Sequence, residues 1–471
     1  MNAAIRHSHT PFQLYPAWQA TGILLAATLL SFLFLFPLRI GESSSELVRP
    51  VSWIMGFALL SSFLVELFRQ SPQRVLRVDN AALAAAYYYT LFEFLVPQPN
   101  FDTQIEPEAA SQAVTLVLIG LIALAIGRHF ISGWKQAPPA HFPSWPSNGY
   151  FWLLMTLFFL GHFPLFASIS FHPGRFWEGL LLPRADQPWT RERLGGWTAL
   201  LSEWKLLTFL IPPLAGLLLA SRPRTLPATR VFLVVAILFL TLGISFLSGT
   251  RNITATHLAT GSAAVLLGLP KLTTKVFLTS AIGLFVSLLL ITLLTLQFRK
   301  GAQPEGFRSQ ELTLMVDNNL RTIATLSQQI PDNEEPLGWE VVGATLYRPI
   351  PRALWPGKPE GLSLSLESLV PIPETTIAAS FVGEGYLAFG PVGTGLFGLS
   401  LGILFSGWNR LLTSLGHRSD VLVYTSGLCW ALLSIRSPIW ITVGLLPCLV
   451  LALVLLSSRL IRRFLPSVTS P

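Results

Sequence analysis

Apolar stretches about as long as a bilayer is thick recur along the whole chain, and they constrain its fold more than any other feature. About 20 apolar residues cross a bilayer core as a helix, and a helix satisfies its own backbone hydrogen bonds in lipid. Only 12% of the 471 residues are charged, and the mean hydropathy is +0.56. Soluble domains carry about 25% charge. The sequence therefore predicts an all-α integral membrane protein.

The apolar stretches predict twelve transmembrane helices. Cys429 and Cys448 both fall inside such stretches, which argues against a disulfide or a zinc site. The predicted spans lie near residues 20–37, 51–68, 81–96, 113–126, 150–168, 201–220, 231–247, 253–269, 276–296, 392–408, 421–433 and 439–456.

Lysine and arginine in the short loops predict the orientation of the chain. With the N-terminus inside, the inside segments hold sixteen of these residues, and the short outside loops hold only four: Arg39, Arg49, Arg251 and Arg436. Both termini are therefore expected in the cytoplasm. The net charge of +8 is interpreted as this topology signal, and a nucleic-acid partner is not expected.

Two outside loops are long, at about 169–200 and 297–391, and loops of this length are usually functional. They divide the chain into a helical part (1–296), a large outside loop (297–391) and a last helical part with its tail (392–471). In the second loop, apolar residues at helical spacing predict a helix over the mouth of the bundle. They are Leu312, Met315, Val316, Leu320, Ile323 and Leu326.

Basic residues on the outside are the first candidates for chemistry. Arg251 opposes the charge rule, so an anionic ligand, a lipid phosphate or a salt bridge to a loop carboxylate should compensate it. Arg184 and Arg352 lie in the two long loops, with Arg348 nearby in the chain. Arginine matches phosphate oxygens with a planar fork of donors. Several such side chains would hold a diphosphate, although single loop arginines are often only solvated.

Two motifs lie late in the second loop. Residues 350–359 (IPRALWPGKP) hold three prolines, which indicate a rigid path that presents Arg352, Trp355 and Lys358, or else a stiff linker. Residues 380–390 (SFVGEGYLAFG) are rich in glycine, which permits close packing or a broken helix. Glu384 in this motif would be a general base or a partner for an arginine. His162 and His257 are interpreted as packing residues, and no Walker loop is present.

Three of these features together resemble the O-antigen and exopolysaccharide repeat-unit polymerases (Wzy-type). They are the sequence SGTR at 248–251, the proline-rich run at 351–359 and the GEGYLAFG motif at 383–390. Their order and the number of spans cover the whole chain, while the motifs themselves cover 21 residues. The resemblance implies a GT-C-like membrane glycosyltransferase in a bacterial inner membrane.

The reaction implied by the resemblance joins oligosaccharide repeat units carried on undecaprenyl diphosphate. A hydroxyl of one lipid-linked unit attacks the anomeric carbon of the growing chain, and undecaprenyl diphosphate leaves. Arg251, Arg352 and Lys358 would hold the diphosphate with Arg184 as a further contact, and Glu384 would be the base. Trp355 and Tyr386 would stack on sugar. No metal or other cofactor is implied, and a chain-length regulator protein is a further expected partner.

Two other functions remain open at this point. An O-antigen ligase would use the same spans, outside arginines and lipid diphosphate, but would move a finished chain to another acceptor. A lipid-linked oligosaccharide flippase would transport the units without joining them. Transporters often show internal repeats and charges at mid-membrane, and neither is evident here. The sequence favours the polymerase.

Overall fold

A computed structural model describes most of the chain, and every element in the described parts is helical. The described residues are 17–35, 43–69, 71–133, 142–182, 187–188, 203–220, 226–249, 251–299, 314–330, 334–352, 354–359, 362–363, 378–414 and 417–464.

Fifteen longer helices are numbered here in chain order. They are α1 (Trp18–Leu35), α2 (Ser44–Arg69), α3 (Val78–Thr90), α4 (Pro107–Gly127), α5 (Ser147–Ser168), α6 (Pro173–Leu181), α7 (Ile211–Ala220), α8 (Ala228–Leu247), α9 (Arg251–Gly268), α10 (Thr274–Arg299), α11 (Asn319–Gln329), α12 (Trp339–Tyr347), α13 (Ser380–Trp408), α14 (Arg418–Arg436) and α15 (Ile441–Phe464). Short helical turns join several of them, at Pro72–Val75, Phe92–Leu95, Pro99–Asp102, Phe130–Gly133, Glu203–Leu210, Asn409–Ser414 and Pro438–Trp440.

Nine helices in the described ranges are long and apolar enough to cross a membrane, which confirms a multi-pass helical membrane protein. They match nine of the twelve predicted spans. The other three coincide with α3, α9 and α14, which are helical but too short or too polar to meet the same standard. Twelve spans and the GT-C-like architecture stay predictions.

The helices run between two ends of the bundle, which we name after buried arginines. At the Arg251 end, the Ser45 hydroxyl donates to Asp102 over 2.8 Å, and the Asn319 amide donates to the Tyr89 carbonyl over 3.1 Å. At the Arg128 end, the backbone N–H of Val78 donates to the Asn409 side chain over 2.8 Å. The two long loops that the sequence predicts to be outside both emerge at the Arg251 end.

Glycines let α4 and α13 approach closely, and this pair forms the centre of the core. A Cβ atom added to Gly402 would lie 2.4 Å from the Leu124 carbonyl oxygen, and one added to Gly398 would lie 2.6 Å from the Gly120 carbonyl oxygen. Close backbone approach through small residues is typical of helix contacts in membranes, where hydrophobic exclusion from water is absent.

Helix α13 is broken, as the glycine-rich motif permits. Phe389 and Gly390 leave the helical conformation, and Gly390 has a φ of 62°, which favours glycine. The part before the break, from Ser380 to Ala388, is fully buried. The predicted outside loop ran to residue 391, so its last part is in fact helical and packed inside the bundle.

The helix predicted in the large loop is present but begins later than expected. Leu320, Ile323 and Leu326 lie on the buried face of α11, which packs against α4 and α13. Met315 and Val316 precede α11 in a non-helical segment, so their assignment to a helix was wrong. That segment is held by side chains from other helices, which helical spacing alone does not reveal. Leu312 lies outside the described residues.

Candidate functional site

A cavity of about 350 Å³ opens at the Arg251 end and brings several of the predicted residues together. Its walls come from α12, the proline-rich segment after it, the start of the Glu203–Leu210 turn and the beginning of α15. Arg348, Arg352 and Lys358 all line it, together with Glu203 and Trp440. We call this the cationic cavity.

Lys358 folds the proline-rich segment back on itself. Its Nζ atom donates to the Arg348 carbonyl over 2.8 Å and to the Ile350 carbonyl over 2.9 Å. Partial burial, and then the neighbouring Arg348 and Arg352 cations, lower the pKa of Lys358. These three positive charges repel one another, so binding of an anion among them would stabilise the segment. The prolines limit the backbone freedom of the same segment.

Arg348 is half-buried in the wall of the cavity. Its guanidinium lies over the Trp440 ring, 4.0 Å from the ring centre, a contact worth about 0.5–2 kcal/mol. Burial lowers the pKa of Arg348, and the charges of Glu384 and Glu203 oppose that shift. In the sequence, Arg348 was only a neighbour of the main candidates, and Trp440 was not a candidate. The only signal for Trp440 was its position shortly after Arg436, between two spans.

Glu203 supplies a carboxylate to the cationic cavity. It begins the Glu203–Leu210 turn, it is exposed, and it lies close enough to Arg348 for their charges to interact. Glu203 was not among the candidates from the sequence. It lies two residues before Lys205, where the two side chains cannot face each other on a helix, and this lack of a local partner was the available signal.

Glu384 does not line the cationic cavity. It is buried in α13, where one carboxylate oxygen accepts a hydrogen bond from the Ser437 hydroxyl and the other accepts one from the Ile439 N–H over 2.9 Å. Glu384 thus holds the Pro438–Trp440 turn, which carries the Trp440 ring to the cavity. Of the two sequence hypotheses, base or structural partner, these contacts favour the second.

Arg251 belongs to a second cluster at the same end, which we call the Arg251 cluster. It is the first residue of α9 and only 4% exposed. Its guanidinium donates to the Met315 carbonyl. Asp317 pairs with Arg436 over 2.6 Å and also attracts Arg251. A loop carboxylate therefore compensates part of its charge, as one sequence alternative proposed.

Glu93 holds the segment that covers Arg251. Its carboxylate accepts the Val316 N–H over 2.7 Å, and Gln98 donates to the Leu314 carbonyl over 2.8 Å. The Nε atom of Arg251 is buried and has no hydrogen-bond partner among the described residues. A buried donor of a charged group is costly to leave unpaired. An anionic oxygen from a ligand would satisfy it.

A series of charge interactions connects the cationic cavity with the Arg251 cluster. Glu384 interacts electrostatically with Arg348 on one side and with Arg436 on the other. Arg436 in turn is the partner of Asp317, beside Arg251. The end of the bundle thus presents two neighbouring sets of cations, which suits two anionic groups better than one.

The remaining candidate residues either lie outside the wall of the cationic cavity or lie outside the described residues. Trp355 is 41% exposed and meets the edge of the Tyr347 ring, near the cationic cavity but not in its wall. Tyr386 is buried, and its hydroxyl donates to the Ile330 carbonyl over 2.7 Å. In this conformation it does not face sugar. Arg184 lies outside the described residues.

A buried ionic cluster occupies the opposite end, and the sequence had assigned its arginines to inside loops. Arg77 pairs with Asp79 over 2.7 Å, and Arg128 donates to Thr21 over 2.6 Å and to Asn80 over 3.0 Å. Both arginines are fully buried. Their partners come from α1 and α3, so the network joins helices far apart in the chain. Its donors and acceptors are largely matched within the protein, which is typical of a structural role.

No protein-family model, curated protein or solved structure matches this chain. Within the described part of the chain, no group of three or more metal-ligating side chains is found. The class that the fold itself defines is a multi-pass helical membrane protein with a cationic cavity at one end.

Proposed function

We propose that this protein is a membrane glycosyltransferase that polymerises oligosaccharide repeat units carried on undecaprenyl diphosphate. One observation carries the proposal: Arg348, Arg352 and Lys358 converge on one cavity with the carboxylate Glu203 at an end of a membrane bundle. Cations placed where charge develops on a leaving diphosphate lower the barrier to its departure. The three motifs of the sequence resemblance lie at this same end.

The residues of the cavity suit the two parts of the reaction. The acceptor hydroxyl gives its proton to Glu203, its oxygen forms a bond to the anomeric carbon, and the bond from that carbon to the diphosphate breaks. The electron pair goes to the diphosphate, which Arg348, Arg352 and Lys358 hold. Glu203 replaces Glu384 as the proposed base because it is open to the cavity and Glu384 is already engaged by two donors.

Two lipid-linked partners must meet at one place, and two sets of cations are available. We assign the departing diphosphate to the cationic cavity and the diphosphate of the acceptor unit to the Arg251 cluster. Both partners then lie side by side at the membrane surface, and the transfer step becomes effectively intramolecular. Trp355 and Trp440 offer aromatic faces for sugar rings near the transfer point.

The proposal places the Arg251 end on the outer side of a bacterial inner membrane and both termini in the cytoplasm. This orientation follows the loop charges. A chain-length regulator would contact the same outer end. A ligase would use the same cavity, and its product differs: without a polymerase only single units reach their acceptor, whereas without a ligase long chains stay on the carrier lipid.

Complementation tests the proposal. In a host that lacks its own polymerase, the wild-type chain should restore long polysaccharide ladders on a gel. Arg352→Ala should reduce them to single units, because a cation contact to the leaving group is lost, with a rate loss on the order of 10²-fold. Arg175→Ala is the matched control, since Arg175 is exposed on α6 at the same end and outside the cavity.

Membrane levels of each variant are measured by immunoblot. Normal ladders from a well-expressed Arg352→Ala variant would contradict the assignment. Long chains that accumulate on the carrier lipid when the gene is absent would instead indicate a ligase.

A further inference from the structure

A second cavity, of about 360 Å³, lies within the bundle and is lined almost entirely by apolar side chains. Its two facing walls are α3 and α9, its third wall is α10, and its floor is α14. We call it the alanine cleft. It is unrelated to the cationic cavity, with which it shares no lining residue.

Alanines from both helices line the facing walls of the alanine cleft, beside three tyrosines of α3. Ala81, Ala84 and Ala85 come from α3, and Ala255, Ala259 and Ala263 come from α9. Small residues of this kind normally let two membrane helices touch. Here α3 and α9 both pack against α14 but pack little against each other. The space that the alanines leave is therefore a cleft and not a helix interface.

The cleft runs along the helices and reaches the surface. Ala263 lies eight positions after Ala255, which corresponds to a length of about 12 Å along α9. Phe285 in the third wall is 53% exposed, so the cleft is accessible from the side of the bundle that faces lipid. A flexible apolar chain can enter from the bilayer without crossing the protein.

One end of the cleft leads to Arg251. On α9, residues 251, 255 and 259 are spaced four apart, so the arginine follows the alanine row on the same face. Tyr88 lines the cleft, donates or accepts a hydrogen bond of 2.6 Å with Thr292, and lies within electrostatic range of Arg251. The buried Nε donor of Arg251 without a described partner therefore lies at the head of an apolar cleft.

We infer that the alanine cleft holds the first part of the polyprenyl chain of a lipid diphosphate whose head group binds Arg251. An apolar cleft that ends in a buried cation is complementary to a lipid with an anionic head. The methyl branches of a prenyl chain need lateral space that a straight acyl chain does not, and the alanine rows provide it. The inference rests on the proposed function for the identity of the lipid, and it locates the tail of the acceptor unit.

Binding tests the inference without any transfer reaction. The purified full chain, in nanodiscs of neutral phospholipid, is incubated with radiolabelled undecaprenyl diphosphate, and the retained label is counted. Ala259→Trp fills the cleft and should weaken binding at the Arg251 cluster about tenfold or more, which corresponds to about 1.4 kcal/mol or more, so that only the cationic cavity still retains label. Ala236→Trp is the matched control, because Ala236 is exposed on α8, and it should retain the lipid like the wild type.

A second measurement uses the unaltered protein, in case the tryptophan variant does not fold. A polyprenyl diphosphate with a diazirine near its diphosphate end should label peptides from α3, α9, α10 or α14. Labelling confined to other helices would overturn the inference. So would equal retention by folded Ala259→Trp and Ala236→Trp, or displacement of the probe from the wild type by excess phospholipid, which would identify the cleft as an acyl-chain site.

The failure of this inference is distinguishable from the failure of the proposed function. Retention that falls in Ala259→Trp supports the cleft even if the wild-type chain makes no ladders, and it then describes a lipid-diphosphate-binding protein of another activity. Ladders from the wild type with unchanged retention in Ala259→Trp would keep the polymerase and overturn the cleft.

Discussion

Two carboxylates, Glu203 and Glu384, lie near the cations of the Arg251 end, and their surroundings give them different roles. Both oxygens of Glu384 accept hydrogen bonds from the residues around Ser437. Glu203 is exposed in the wall of the cationic cavity. The sequence pointed to Glu384 because of its glycine-rich motif. The donors that occupy it come from more than fifty residues away in the chain, so local sequence could not reveal them.

Replacing each carboxylate with its amide distinguishes a general base from a residue that stabilises the fold. Glu203→Gln should lower the initial rate of ladder formation by about 10²–10⁴-fold, because the amide accepts no proton. It should leave the thermal unfolding midpoint unchanged, because Glu203 is exposed. Glu384→Gln should lower the unfolding midpoint, since an amide NH₂ cannot accept from the second donor, and should reduce the rate less.

The reverse result would be informative. If Glu203→Gln polymerises at the wild-type rate while a fully stable Glu384→Gln is inactive, then Glu384 is the base and the assignment made from the cavity is wrong.

Among the helices, the contact between α4 and α13 depends on glycines whose missing side chains leave room for a facing backbone. Gly402→Ala would bring a Cβ to 2.4 Å from the Leu124 carbonyl oxygen and 2.9 Å from the Gly127 Cα. Because these are backbone atoms, the two helices must separate. We expect a loss of about 1–3 kcal/mol in stability, measured as a lower unfolding midpoint in detergent.

Gly395→Ala is the matched control on the same helix. The nearest atom to its added Cβ is the Ile119 Cγ2 at 3.8 Å, which is ordinary contact, and alanine favours helix over glycine. Its unfolding midpoint should equal or slightly exceed that of the wild type. Equal midpoints for the two variants would mean that α4 and α13 do not pack through their glycines.

The hydrophobic pattern of the sequence predicts some of the helical elements correctly and fails at others. It located nine long helices and suggested the break in α13, because length, hydropathy and glycine content are local properties. It failed at Met315 and Val316, which are apolar at helical spacing but non-helical. The Glu93 carboxylate, far away in the chain, holds the Val316 N–H, and this tertiary contact overrides the local pattern.

Across the whole molecule, the two ends differ in how their charges are used. At the Arg128 end, Arg77 and Arg128 meet carboxylates and amides of the protein itself. At the Arg251 end, Arg348, Arg352 and Lys358 surround an open cavity. The count of lysine and arginine in the loops treats both kinds of arginine alike, because it depends only on where each residue lies in the chain relative to an apolar stretch. Only the fold separates arginines that stabilise the bundle from those available to a ligand.

The central claim is that the cationic cavity joins lipid-linked sugars without another protein or an energy source, and reconstitution tests it most directly. The purified chain in liposomes is given undecaprenyl-diphosphate-linked repeat units, and glycan length and free undecaprenyl diphosphate are measured together. The wild type should produce a ladder and release one carrier diphosphate for each new linkage, while the triple variant Arg348→Ala, Arg352→Ala, Lys358→Ala should produce neither. Units that remain single with the wild type, or that only cross the bilayer, would contradict the account.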